Sequence, residues 1–403
     1  MQKVVIVGGG HAAAQLCGSL VEGKFPGSIT LVCEERRLPY HRPPLSKAFL
    51  KDPSAETQPL RAESSYTEAG IEVLLGEPAV AIDRATRTVT LASGRVLPYD
   101  ALVLATGTRA RRLANVPDDL ENLIYLRNAA DAGRLRDALA AAESVVVLGG
   151  GFIGLEIAAT ARQFGKSVTV YEAAPRLLAR VVSPEVSEHV ARVHRESGIE
   201  IHLDALVDQV EVEGRRAVAI HVGGERRPID LIVAGIGAVP ETSLAEAAGL
   251  ECNNGIVVDA YMRTSDPAIY AIGDCTSFPY APWGSPLRLE SVQNANDQAR
   301  TLAGVLLGRP EEHGALPWFW SEQGNLRLQI AGLAPSGTER YIRESNRPGS
   351  FSVLHFAEGR LVCVESVNNP VDHIAARKLL EAGRNPPREQ LLDPSIPLKA
   401  HLD

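Results

Sequence analysis

A glycine fingerprint that occurs twice narrows the folds open to this chain more than any other feature. In Val145-Val146-Val147-Leu148-Gly149-Gly150-Gly151-Phe152-Ile153-Gly154-Leu155-Glu156, the apolar run reads as a buried parallel strand, and Gly149, Gly151 and Gly154 satisfy G-x-G-x-x-G. The first glycine permits a tight turn, the second lets backbone approach a pyrophosphate, and the third lets helix pack closely on strand. A helix is expected from Leu155 to Gln163, with phosphates held at its N-terminus and Ile153 beside them. A second strand, Ser167 to Tyr171, ends in Glu172. An acid there accepts hydrogen bonds from both ribose hydroxyls and repels a 2′-phosphate.

The same device stands at the start of the chain. Lys3 to Val7 is a short apolar strand; Gly8, Gly10 and Ala13 give G-x-G-x-x-A; a small-residue helix runs through Leu20. Ile29 to Cys33 is the next strand, closed by the candidate ribose-binding acid Glu34. One nicotinamide does not account for two fingerprints, so the economical reading is FAD at the first and NAD(H) at the second. Each copy continues alike. Residues 71–100 alternate apolar and polar as antiparallel strands do, then Leu102-Val103-Leu104-Ala105-Thr106-Gly107 runs into a glycine turn. In the second copy, strands at 199–203, 207–212 and 218–222 precede a buried strand from Asp230 that closes on Gly235-Ile236-Gly237. Asn122 to Arg127 is expected to lead into a helix over 129–142, and Pro184 to Ser197 is another helix.

Further on, Thr264 to Asp274 is an apolar strand ending in Gly-Asp, which places the Asp274 carboxylate to bind a sugar-alcohol hydroxyl. Glu290-Ser291-Val292-Gln293-Asn294-Ala295 is expected to start a helix to about Leu307, its N–H groups directed toward an electron-rich ring. Gly308 to Gly314 is a polar linker, and Pro317-Trp318-Phe319-Trp320-Ser321 holds two of three tryptophans. Strands at 327–332, 340–343, 350–356 and 360–367 and a helix over 371–382 complete an α+β domain. The predicted fold class is α/β: two Rossmann-like dinucleotide-binding domains plus this C-terminal domain, in a glutathione-reductase-like architecture. The predicted segments are 1–112 and 243–316 for the FAD domain, 113–242 for the NAD domain and 317–403 for the last.

Composition sets limits. A net charge of −8 argues against a nucleic-acid binder. No apolar run is long enough for a membrane span, and a strand beginning by Val4 leaves no room for a signal peptide. Cys17, Cys33, Cys252, Cys275 and Cys363 form neither C-x-x-C nor C-x4-C, which predicts no dithiol centre and no metal site. Scattered thiols fit a reducing cytoplasm.

The order of motifs resembles the FAD-dependent pyridine nucleotide reductases, specifically bacterial NADH-dependent ferredoxin reductases of the putidaredoxin reductase type that serve oxygenases. The likeness spans essentially the whole chain. Its most specific pieces are Pro43-Pro44-Leu45-Ser46-Lys47, Gly151 to Glu156, Thr264 to Cys275, Glu290 to Asn294, and Pro317 to Ser321. The resemblance implies one non-covalent FAD per chain and NADH as electron donor. It implies Lys47 beside the flavin, paired with Glu156, and Trp320 near the flavin. It places further FAD contacts at Ala12, Glu34, Arg42, Val80, Ala105, Thr106, Gly107, Arg127, Asp274, Glu290 and Val292, and a nicotinamide-side contact at Gly237. The implied partner is an acidic [2Fe–2S] ferredoxin, bound transiently by a monomer or weak dimer and feeding a cytochrome P-450 monooxygenase. A Rieske dioxygenase or a rubredoxin is the alternative destination. Arg300, Arg309 and Arg327 lie in segments suited to a docking patch. A disulfide reductase is disfavoured because no cysteine lies near Pro43–Lys47. A non-catalytic flavoprotein of the apoptosis-inducing-factor kind is disfavoured by the lack of a targeting segment or basic surface.

Overall fold

Two parallel five-stranded sheets carry the two fingerprints, and their strands follow one plan. The computed structural model describes residues 2–402; Met1 and Asp403, the outer limits of the first and last predicted segments, lie outside the described residues. The chain divides into two compact units. The first comprises residues up to His41, Thr57–Arg109 and Val239–Pro317; the second comprises Arg42–Glu56, Ala110–Ala238 and the residues from Trp318 onward.

In the first unit, Lys3–Val7 lies between Ser28–Cys33 and Ala101–Leu104, with Glu72–Leu75 and Ile269–Ala271 at the edges, all parallel. Both faces of such a sheet are covered, so its central strands are apolar throughout rather than alternating. Val4, Val5 and Ile6 and all of Ala101–Leu104 are accordingly buried. The helix His11–Glu22 follows the first fingerprint. A separate antiparallel meander, Ala79–Asp83, Thr88–Leu91 and Val96–Pro98, precedes the return strand Ala101–Leu104.

The second unit repeats this plan. Ser144–Leu148 lies between Ser167–Tyr171 and Leu231–Ala234, with Glu200–His202 and Leu123–Ile124 at the edges. Its meander is Val207–Glu213, Arg216–Val222 and Glu225–Pro228. One edge breaks the repeat: the first sheet takes its outer strand from late in the chain, the second from before its fingerprint. The helix expected over 129–142 is present, but the residues that lead into it also hold a short strand that the sequence did not mark. Asn122 O accepts from Ile232 N at 2.8 Å, drawing Leu123–Ile124 into the sheet, and the helix begins at Ala129 behind an Asn128–Asp131 capping box.

The C-terminal part is a five-stranded antiparallel sheet in the order Trp318–Gln323, Leu326–Gly332, Arg360–Val367, Phe351–Ala357, Glu339–Glu344, with the helix Pro370–Glu381. Leu354, Val364, Ala375, Ala376 and Leu379 form its core. Trp318–Gln323 had no strand expectation in the sequence. Among the described residues no helix is long and apolar enough to cross a membrane.

Arg343 ties down the end of this part. It is 3% exposed; its Nε donates to Asp372 at 3.2 Å, and its other nitrogens donate to the carbonyls of Leu391, Asp393 and Ile396 at 2.6–2.8 Å. Removing one member of a buried pair leaves the other charge unanswered, at a cost of about 3–5 kcal/mol. Arg343→Met is expected to lower unfolding stability by that amount in a urea titration. A loss under about 1 kcal/mol would show that the pair contributes no more than a surface ion pair.

Candidate functional site

The two fingerprint loops share a backbone device. Gly8 has φ +126°, and a Cβ on it would stand 2.1 Å from Ala105 O; Gly149 has φ +99°, and a Cβ would stand 2.5 Å from Gly235 O. In each copy the fingerprint strand and the return strand therefore approach too closely for any side chain at the first glycine. At the second glycine the opposite holds. A Cβ on Gly10 would meet nothing within 4 Å, and one on Gly151 would only graze Gly235 O at 3.9 Å. That open space lies at the N-terminus of a helix in both cases. Neither the helix from His11 nor the helix from Phe152 has a side-chain cap or an acidic residue in its first turn. By contrast Asn128, Ser183, Ser291 and Asn369 each cap the helix that follows them. Uncapped N–H groups facing open space fit a bound pyrophosphate. Among the described residues there is no group of three metal-ligating side chains.

The remaining first-unit candidates gather unevenly. A Cβ on Gly273 would meet Ala12 Cβ at 3.2 Å, so Gly273-Asp274 lies against the first turn of the fingerprint helix. Ala13 is fully buried at the third position of the fingerprint. Ala105 N donates to Val7 O, Thr106 Oγ1 donates to Glu241 O at 2.6 Å, and Gly107 has positive φ. Glu34 is exposed just beyond its strand, and Val80 is 55% exposed on the meander. One expectation needs correction. The helix expected from Glu290 begins at Val292, because Ser291 Oγ accepts from Asn294 N at 3.0 Å and caps it. Glu290 lies outside it, paired with Arg288. One of the N–H groups expected to face a ligand is thus already satisfied.

In the second unit Glu172 follows Ser167–Tyr171 and is locked by backbone. Its Oε2 accepts from Gly150 N at 2.6 Å and its Oε1 from Ala174 N at 2.7 Å. The neighbouring cation Arg176 is committed to the carbonyls of Ala179 and Val182 at 2.6–2.7 Å. Ile153 is 46% exposed at the opening of the helix. Gly237 has φ +104°, and its carbonyl accepts from Arg111 N.

Lys47 and Glu156 meet. Pro43 and Pro44 open a short 3₁₀ turn, Pro43–Ser46, which delivers Ser46 and Lys47 to the helix Phe152–Gln163. Lys47 Nζ lies 2.6 Å from Glu156 Oε2. It also donates to Pro43 O and Ser46 Oγ, both at 3.2 Å. Arg42 donates to Arg127 O at 3.0 Å, joining two further candidates. Sequence reasoning missed the serines. Ser46 Oγ donates to Glu156 Oε2 at 2.6 Å, and Ser321 Oγ donates to Glu156 Oε1 at 2.7 Å. Thr160, one turn beyond Glu156, donates to Ser46 O at 3.0 Å. No local pattern marks these residues; only their burial in the fold does.

Trp320 lies on the other face of its strand. Phe319, Ser321 and Gln323 alternate toward the helix 152–163, with the Phe319 and Phe152 rings 4.6 Å apart. The Trp318 and Trp320 rings lie 5.5 Å apart, tilted by 31°, on the opposite face, with Arg377 at 4.2 Å over the Trp318 ring.

Gly149→Ala tests the second cradle. With positive φ and no room against Gly235 O, this variant is expected to lose pyridine-nucleotide binding while retaining flavin absorbance, measured by nucleotide titration. Unimpaired binding would remove the fingerprint from the site.

Comparison with known proteins agrees with this geometry. A sequence model described as pyridine nucleotide-disulphide oxidoreductase matches residues 2–299, and one described as reductase C-terminal matches residues 318–402. Rhodocoxin reductase of Rhodococcus erythropolis is 43% identical over 399 residues, covering 98% of this chain and 93% of the relative. Putidaredoxin reductase of Pseudomonas putida is 40% identical over 405 residues, covering 98% and 96%. The crystal structure of the ferredoxin reductase for the CYP199A2 system from Rhodopseudomonas palustris superposes with a TM-score of 0.96 at 42% identity, covering all of both chains. The chain thus belongs to the pyridine nucleotide-disulphide oxidoreductase family and carries that family's reductase C-terminal domain.

Proposed function

We propose that this protein is an NADH:ferredoxin oxidoreductase that sends electrons through one non-covalent FAD to a [2Fe–2S] ferredoxin serving a cytochrome P-450 monooxygenase. The observation that carries the reading is the pair of uncapped fingerprint helices, one in each unit, within a chain similar over nearly its whole length to carrier reductases. The family uses FAD and a pyridine nucleotide, and both cradles have the open second glycine that a pyrophosphate requires. When bound, FAD supplies acceptance of a hydride and release of electrons one at a time.

The chain's own residues orient and tune. Gly8, Gly10 and Asp274 serve the FAD cradle; Gly149, Gly151 and Gly154 serve that of NADH. Lys47 is assigned to the flavin, where its cation favours negative charge on the reduced ring. Glu156 holds Lys47 and lines the nicotinamide pocket. Trp320, on the aromatic face of its strand, is assigned to the flavin side where an electron leaves. The carrier is read as acidic, docking transiently through local cations on a monomer or weak dimer, in the cytoplasm.

Thiol chemistry finds no support. The segment Arg42–Glu56 contains no cysteine. Burial pushes the Cys17 thiol up to about 12 and the Cys252 thiol up to about 11, and raises Cys275 and Cys363, so none of these four is prepared as a thiolate nucleophile.

NADH is assigned over NADPH because the Glu172 carboxylate is fixed by two backbone donors and Arg176 is turned to carbonyls. At 4 Å a carboxylate repels a like charge by about 1 kcal/mol in water and by more where water is displaced. Glu172→Arg is expected to reduce the ratio of kcat/KM for NADH over NADPH at least about tenfold; an unchanged ratio would refute the assignment. The carrier role is checked by steady-state NADH oxidation with cytochrome c as final acceptor, with and without a [2Fe–2S] ferredoxin. Strong ferredoxin dependence is the expected result. Fast turnover that ignores ferredoxin, or negligible turnover with any acceptor, would overturn the reading.

A further inference from the structure

We propose that Ser321 and Gln323, supplied by the C-terminal domain, are positioning residues that aim the Glu156 carboxylate at Lys47 and at the nicotinamide. This rests on the functional reading above and extends it to residues outside both dinucleotide domains.

The geometry is a directed chain of donors. His194 Nε2 lies 2.8 Å from Gln323 Oε1, and an amide oxygen only accepts, so the imidazole donates. Burial lowers the affinity of His194 for a second proton. Gln323 Nε2 donates to Ser321 Oγ at 3.2 Å, and Ser321 Oγ donates to Glu156 Oε1 at 2.7 Å. His194, Gln323 and Ser321 are each no more than 2% exposed. Every hydroxyl and amide in this line therefore has one settled orientation, and no bulk water offers a substitute.

The spacing explains why the line can form. Two residues of a strand advance about 6.6 Å, and four residues of a helix advance about 6 Å. Phe319 and Ser321 on the strand thus meet Phe152 and Glu156 on the helix rung for rung. Just past the end of the strand, a Cβ on Gly324 would stand 3.7 Å from Ala159 Cβ.

The consequence is a division of labour between the two carboxylate oxygens. Ser321 occupies Oε1, which leaves Oε2 for Ser46 and Lys47. A carboxylate has freedom about its terminal torsion, and a single-sided grip from Ser46 and Lys47 would not fix it. With Ser321 in place the plane is set from both edges. Gln323 in turn holds the Ser321 hydroxyl so that its proton points at Glu156.

The test uses the full chain loaded with FAD. NAD⁺ affinity is read from flavin absorbance, and the flavin midpoint potential from dye equilibration. Loss of a hydrogen bond to a charged group is about a tenfold effect. Ser321→Ala is therefore expected to weaken NAD⁺ binding about tenfold and to displace the two-electron flavin equilibrium by a similar factor, about 30 mV. Ser321→Thr, which keeps the hydroxyl, is expected to restore both. In a Glu156→Met background, Ser321→Ala is expected to change either quantity less than about twofold, because its action passes through Glu156. Equal effects in the two backgrounds, or no effect in the parent, would overturn the proposal. Should Ser321→Ala fail to retain FAD, Gln323→Met provides the same comparison, with an expected change of about threefold that also vanishes without Glu156. Ferredoxin-dependent turnover of the parent protein is scored separately. Its absence would refute the functional reading and leave the coupling between Ser321 and Glu156 to stand or fall on the binding data.

Discussion

A carboxylate more than nine-tenths buried must be answered by donors, and Glu156 is answered from two distant stretches of chain. Lys47 and Ser46 arrive on the rigid turn opened by Pro43 and Pro44. Ser321 arrives on a strand of the C-terminal sheet. Glu156 itself stands on the helix that opens at the second fingerprint. The helix needs Gly154 to pack where it does, the turn is opened by its prolines, and the strand rests on the sheet behind it. Placing one charge therefore fixes the mutual arrangement of three elements of the second unit.

The parallel construction of the two sheets was legible because its signals are local. Apolar runs without alternation mark strands covered on both faces, and a glycine triplet after such a run marks the turn into a helix. Lys3–Val7 and Ser167–Tyr171 form the expected strands. The meanders over 79–98 and 207–228 follow from period-two alternation, but residues 72–75 and 200–202, read with them as antiparallel strands, pair in parallel at the edges of the two main sheets, where a neighbouring strand's backbone claims them. The errors occurred where a local signal competed with a distant partner. Residues 123–124 read as the approach to a helix, yet the backbone of Leu231–Ala234 claims them as a strand. Residues 290–291 read as helix, yet the Ser291 hydroxyl makes a better cap than a first turn.

The candidate site was legible in part. Glycines and end-of-strand acids carry their chemistry in spacing, so they could be named from sequence. The Lys47–Glu156 pair came from family resemblance, since nothing in residues 47 and 156 alone predicts that they touch. Ser46 and Ser321 were invisible, being 110 and 165 residues from Glu156 and ordinary by composition. A serine becomes informative only when the fold removes the water it would otherwise meet.

The alternation of residues 318–323 has a further consequence. Odd positions face the helix and its buried carboxylate; even positions carry the two tryptophans, with Arg377 over Trp318. The strand is a partition only one backbone thick, with polar machinery on one side and aromatic surface on the other. Substitutions can accumulate on the even side without disturbing the donors on the odd side. A change on the aromatic face therefore alters what the strand presents there while leaving the donors to the carboxylate behind the wall in place.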